Sequence, residues 1–179
     1  MRRNSRLLIV GAVLIFGGVS IESQKTKSNQ EQTHFSAEDA GVSFPVPIPD
    51  EALAILRRDD RVENELAYAA IAPEKLPRSW FSASEIALGS PGEKDLIVVA
   101  EGPLLGANVD TFWVFVNSGK GYLLVLTIPA HDLIVKRSRT NGYRNLEAMA
   151  ATAITVTTAS FRFDGHQYRE YSEKTEDFK

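Results

Sequence analysis

Phe112-Trp113-Val114-Phe115, and Tyr122-Leu123-Leu124-Val125-Leu126 ten residues further on, are apolar at nearly every position. Successive side chains of an extended chain point to opposite faces. Phe112 and Val114 therefore point one way, and Trp113 and Phe115 the other. A sheet with one wet face would alternate polar with apolar residues, whereas these strands need cover on both sides. At about 25 cal/mol per Å2, burying each aromatic is worth a few kcal/mol, so Trp113→Asp is expected to abolish folding.

The rest of the chain after Pro77 reads in the same way. Residues 86–88, 96–100, 112–116, 122–128, 133–138, 143–149, 153–163 and 166–171 are β-prone runs separated by short turn signals. Eight strands in so short a span leave no room for the crossovers that parallel pairing requires, and an antiparallel meander is expected. Asn141-Gly142 and Asp164-Gly165 are the dipeptides of two-residue hairpin turns. Such turns would set Arg139 opposite Arg144, Phe163 opposite His166 and Phe161 opposite Tyr168. Residues 117–121 form a longer turn of the same kind.

Upstream, Asp50-Glu51 opens and Arg57-Arg58 closes a short apolar run that suits a helix and its dipole. Asp59-Asp60 can cap a second helix carrying Val62, Leu66 and Ala70. These helices can cover one face of the meander; curling of the sheet on itself, or a partner subunit, can cover the other. The fold class expected is α+β: an antiparallel meander of about seven or eight strands, curled or barrel-like, with one or two N-terminal helices on it.

The chain begins differently. Arg2, Arg3 and Arg6 precede an uncharged apolar run over residues 7–21. This is the pattern of an export signal. Its 15 residues fall short of the roughly 20 of a membrane-crossing helix, which favours a removable signal peptide over an inner-membrane anchor. Gly18-Val19-Ser20 offers a small-x-small cleavage triplet. Residues 21–41 read as a flexible polar spacer, Phe44-Pro45-Val46-Pro47-Ile48-Pro49 as an extended entry into the domain, residues 42–171 as one β-rich domain, and 172–179 as a polar tail. Removing residues 1–20 leaves 17 basic against 23 acidic side chains. A chain that acidic is a poor general binder of nucleic acid or anionic lipid. With no Cys, an exported protein is held by its core rather than by disulfides.

Several segments together, Pro77-x-Ser79-Trp80-Phe81-x-Ala83-Ser84, Asp95-Leu96-Ile97-Val98, Leu105-Gly106-Ala107-Asn108, Phe112-Trp113-Val114-Phe115, Thr140-Asn141-Gly142-Tyr143-Arg144 and Phe163-Asp164-Gly165-x-x-Tyr168, resemble a family of uncharacterised exported bacterial proteins. The resemblance covers residues 73–170. It implies export and a β-rich fold and carries over no functional residue. Asn145 stands where that pattern favours Asp.

No catalytic, cofactor-binding or metal residue is assigned from the sequence. The loop before Asp95 lacks the spaced oxygens of a calcium site. His34, His131 and His166 are far apart in sequence and lack metal spacing. His131 and Asp132, as neighbours in an extended chain, would face opposite ways and could not serve as a base and its orienter. Gly119-Lys120-Gly121 lacks the helix that follows a phosphate loop. Two sets of contact residues remain. Lys136, Arg137, Arg139 and Arg144 crowd one hairpin, and facing arginines call for a bound anion or a neighbouring acid. Leu104 and Leu105 lie in the longest break within the sheet, either as an exposed contact or as a plug on the core.

The expected function is that of a non-enzymatic, exported binding or inhibitor-like module of the cell envelope, periplasmic or extracellular, acting on an envelope protein or polymer. The alternatives are a secreted hydrolase whose site is assembled by the fold and a membrane-tethered assembly factor held by residues 7–21.

Overall fold

Nine antiparallel strands in two sheets, with two short helices, make up the computed structural model, which describes residues 31–39 and 41–178. The arginine-led apolar segment lies outside these residues. In chain order the elements are β1 (His34–Ser36), α1 (Asp50–Leu56), α2 (Asp60–Tyr68), β2 (Phe81–Ile86), β3 (Asp95–Ala100), β4 (Asp110–Asn117), β5 (Tyr122–Ala130), β6 (Asp132–Thr140), β7 (Tyr143–Ala151), β8 (Thr155–Phe163) and β9 (Tyr168–Asp177).

Strands β2-β3-β4-β5 form a four-stranded meander, and β6-β7-β8-β9 a second, with β1 added beside β6. The expected meander is present, but it is split. Only His131 separates β5 from β6, so the chain turns there from one sheet into the other and no closed barrel forms.

This split resolves the two-faced strands. Phe112, Val114 and Val116 face the second sheet and share a core with Leu133, Val135, Leu146, Phe161 and Phe163. Trp113 and Phe115 face the other way and pack with Ala52, Leu53, Leu56, Val62 and Leu66 of the helices. Cover on one face is thus helical, as expected, and on the other it is a sheet. Trp113 is fully buried and meets Phe81 edge-on at 5.6 Å. Its indole N–H donates to Asp59 Oδ2 at 2.8 Å, while Asp59 Oδ1 accepts from Arg61 N at 3.0 Å and caps α2. One carboxylate therefore starts the helix and docks it on the sheet.

Three expectations need correction. The spacer expected over 21–41 gives way to folded chain before its end: Phe35 is buried and β1 pairs with β6, His34 opposite Ile134. Tertiary pairing organises a segment too polar to show an apolar period. The tail expected from 172 is strand as far as Asp177, because β8 supplies a ladder along its whole length. The Asp164-Gly165 turn has four residues rather than two, since Phe163 pairs with Tyr168. The Asp164 carboxylate accepts from the backbone N–H of His166 and of Gln167 at 2.8 and 2.9 Å, and this side-chain turn replaces the tighter one.

Candidate functional site

The two meanders place four connections at one end of the molecule: residues 87–94, 118–121, 141–142 and 164–167. Each is held by its own sequence. In the first, Asp95 is fully buried and accepts from Leu88 N at 2.8 Å, Gly89 N at 3.3 Å and Asn117 N at 2.8 Å, tying this loop to the end of β4. Burial pushes the Asp95 carboxyl above its ordinary range; these three N–H groups oppose that rise and the Glu93 charge adds to it. In the second, Ser118 Oγ donates to Gly121 O at 2.9 Å and Asn117 Oδ1 accepts from Gly119 N at 2.9 Å. In the third, Asn141 and Gly142 adopt φ of 51° and 84°, the two-residue turn that the dipeptide predicts. Asn141 Nδ2 then donates to Phe163 O at 2.8 Å and joins the third connection to the fourth.

Between the sheets at this end lies a cleft of about 290 Å3. Val116, Leu123 and Val125 form one wall, and Tyr143 and Phe163 the other. Ser118, Asn141 and His166 stand at its rim. The Tyr143 and Phe163 rings lie 4.2 Å apart, and Phe163 meets Tyr168 edge-on at 5.4 Å. Burial raises the Tyr143 phenol above its ordinary value, helped by the charges of Glu93 and Asp95. It stays protonated and keeps an O–H donor beside the apolar wall. Tyr168 is buried and raised in the same sense, its hydroxyl donating to Arg144 O at 2.7 Å. The cleft lining is mixed, with apolar side chains from both sheets beside the polar Ser118, Asn141, Tyr143 and His166, and its volume lies just under the roughly 300–1,000 Å3 usual for ligands.

The basic hairpin borders this cleft. Arg139 and Arg144 do pair across the strands, and the fold supplies their compensation. Residues 136–138 bulge out of register against Asn145, freeing carbonyls that the buried Arg144 guanidinium takes up: Lys136 O at 2.9 Å and Val135 O at 3.2 Å. Its Nη1 meets Glu31 Oε2 at 2.6 Å. Arg139 Nη1 donates to Leu88 O at 2.9 Å, to Gly142 O at 2.7 Å and to Gly89 O. Lys136 pairs with Glu147 at 3.2 Å, and Arg137 is exposed. Two of the four cations thus brace the loop end, and the hairpin meets the cleft through Asn141 and Tyr143. Buried Asn145 donates to Ser138 Oγ at 3.1 Å across the bulge.

Leu104 is buried against the helix-side core, with its carbonyl taking a hydrogen bond from Arg61, and so plugs that core; Leu105 is half exposed. Their loop joins β3 to β4 and lies at the end away from the cleft.

His131 departs from expectation. It lies in the corner between β5 and β6 rather than within a strand, so its Nδ1 comes 3.4 Å from Asp132 Oδ2. His34 Nε2 reaches Asp132 Oδ1 at 3.2 Å, and His131 Nε2 lies 3.5 Å from Glu38 Oε1. Burial lifts the Asp132 carboxyl, but contacts from Ser36, His131 and His34 outweigh it and hold the group below its ordinary value. The cluster fastens β1 and the 37–39 turn to β6. Among the described residues no group of three His, Asp or Glu side chains is arranged to hold a metal ion.

The cleft residues were not singled out by sequence, although a signal exists: Tyr143 and Phe163 flank the two turn dipeptides, and antiparallel connectivity brings those turns to one end. Comparison of the chain with family models, with curated proteins and with solved structures gives no match.

Proposed function

We propose that the protein is an exported, non-enzymatic binding module of the cell envelope that takes its ligand in the cleft between the sheets. The observation that carries this reading is a cleft of mixed polar and apolar lining at the end of the molecule where the connections gather, bordered by three of them through Ser118, Asn141, Gly165 and His166, with Tyr143 and Phe163 in its wall. Rigid loops on a sheet scaffold give a preorganised surface, which lowers the ordering cost of binding. Export is supported by the arginine-led apolar segment and by the resemblance to exported bacterial proteins. A cleft this small suits one side chain or one sugar ring of a larger partner, which fits inhibition of a wall hydrolase or capture of a wall polymer.

The test is binding of the full chain to purified peptidoglycan and to a panel of wall hydrolases. His166 is exposed, so His166→Trp fills the mouth of the cleft without touching the core. Binding should weaken about tenfold or more in this variant. Tyr143→Phe removes only the hydroxyl and should cost about three- to tenfold. Equal binding by wild type and His166→Trp, or no binding to any of these ligands, refutes the proposal.

A further inference from the structure

Val116, Val125 and Phe163 line the cleft and also belong to the core between the sheets. The cleft therefore has a closed floor, and it takes the tip of a substituent rather than a chain passing through. Among the described residues no Asp, Glu, Lys or Arg lines it. A carboxylate or an ammonium group would give up its water there with no opposite charge in the lining to replace it.

The polar groups of the lining differ in what they still have to offer. Ser118 Oγ is spent within its own turn, donating to Gly121 O at 2.9 Å and accepting from Lys120 N at 3.3 Å. Asn141 Nδ2 donates to Phe163 O at 2.8 Å, which fixes the amide and leaves Oδ1 as an acceptor. The Tyr143 hydroxyl, kept protonated by burial, bonds to no described residue and supplies a donor. A purely apolar side chain seated here would cover Asn141 Oδ1 and the Tyr143 O–H without pairing them, at a cost of about fivefold or more in affinity for each. The complementary group is neutral, donates one hydrogen bond, accepts one, and carries a small apolar end.

Resting on the cleft as the binding site, we propose that its occupant is the acetamido group of an N-acetylated sugar in a wall polymer. In this pose the acetamido N–H donates to Asn141 Oδ1, its carbonyl accepts from the Tyr143 O–H, and its methyl lies against Val116 and Val125. The sugar ring stays at the mouth beside His166. Of the two kinds of partner open to the module, this selects the polymer over a hydrolase side chain.

Ligand-observed NMR titrations of the full chain test this, with oligomers of N-acetylglucosamine set against glucose oligomers of the same length and linkage, which carry a hydroxyl in place of the acetamido group. A contact this small should bind the acetylated oligomer with a dissociation constant on the order of 1 mM, and the glucose oligomer at least about tenfold more weakly. Tyr143→Phe keeps the ring and should narrow that preference about threefold or more, a change that a merely structural role would not produce. His166→Trp, at the exposed mouth, should abolish binding of the acetylated oligomer, with near-UV circular dichroism confirming the fold of both variants. Equal affinity for the two oligomers, no binding of the acetylated one, or a preference unchanged in both variants overturns the proposal. If intact peptidoglycan or a hydrolase then still binds wild type but not His166→Trp, the cleft stands as the binding site and only its assignment to an acetamido group falls; if nothing binds, both fall.

Discussion

Removing the link between Trp113 and Asp59 should undock helix α2 from the sheet by a predictable amount. Trp113→Phe keeps an aromatic ring in the slot and deletes the 2.8 Å bond from the indole N–H to Asp59 Oδ2. A hydrogen bond to a charged group contributes about 1.5–3 kcal/mol. The smaller ring loses about a further 1–2 kcal/mol of packing in a fully buried site. The expected destabilisation is therefore about 2.5–5 kcal/mol, or a melting temperature lower by roughly 5–20 °C for a domain of this size. Asp59→Ala loses the cap on Arg61 N, worth about 1 kcal/mol, and leaves the buried indole N–H unpaired at about 1–3 kcal/mol. Asp59→Asn keeps an acceptor and should cost less than Asp59→Ala. In a double-mutant cycle read by urea denaturation, Trp113→Phe and Asp59→Ala should couple by about 1.5–2 kcal/mol, because each removes the same bond. Additivity to within about 0.5 kcal/mol would show that Asp59 caps the helix without docking it, and the account of this side of the core would be refuted.

Arg144→Ala should destabilise by about 3 kcal/mol or more by equilibrium unfolding, since it strands the Val135 and Lys136 carbonyls and the Glu31 carboxylate; a loss below about 1 kcal/mol would show the bulge is held otherwise. Gly142→Ala meets no atom within 4 Å but must adopt φ +84°, so backbone strain alone should cost about 1–2 kcal/mol, with unchanged near-UV circular dichroism. Asp95→Asn should cost about 1–3 kcal/mol at neutral pH, because an amide has one accepting oxygen where N–H donors lie on both carboxylate oxygens. Burial raises the Asp95 carboxyl in the folded state, so between the ordinary carboxylate value and that raised value the native state binds the extra proton and wild type gains stability as pH falls. The gap between wild type and Asp95→Asn should widen on acidification through this window; a gap that narrows contradicts the assignment.

Much of the architecture was legible because it rests on local periodicity. Apolar residues on both parities of residues 112–116 require two covers, wherever the rest of the chain lies. Asn141-Gly142 specifies its turn because few residues accept two successive positive φ values, and Asp59 announces a helix start by its chemistry. Other features depended on partners distant in sequence. β1 is a polar segment whose single buried Phe35 acquires meaning only beside Leu133. The four-residue turn at 164–167 follows from the Asp164 side chain outcompeting the shorter turn.

The candidate site shows the same division. Residue types and spacing indicated a crowded basic hairpin, but not where its charges end: Arg144 is satisfied by Glu31, 113 positions away. Val116, Leu123, Tyr143 and Phe163 read as core residues in sequence; Val116 and Phe163 are buried, Tyr143 packs partly buried against them and Leu123 is more than half exposed, and together they line the cleft between the sheets. His131 and Asp132 converge because the chain changes sheets at that point, a bend no local pattern encodes. Strand, turn and cap follow from neighbours within a few residues; which sheet covers which, and where a cleft opens between them, depends on long-range packing and so belongs to the tertiary structure alone.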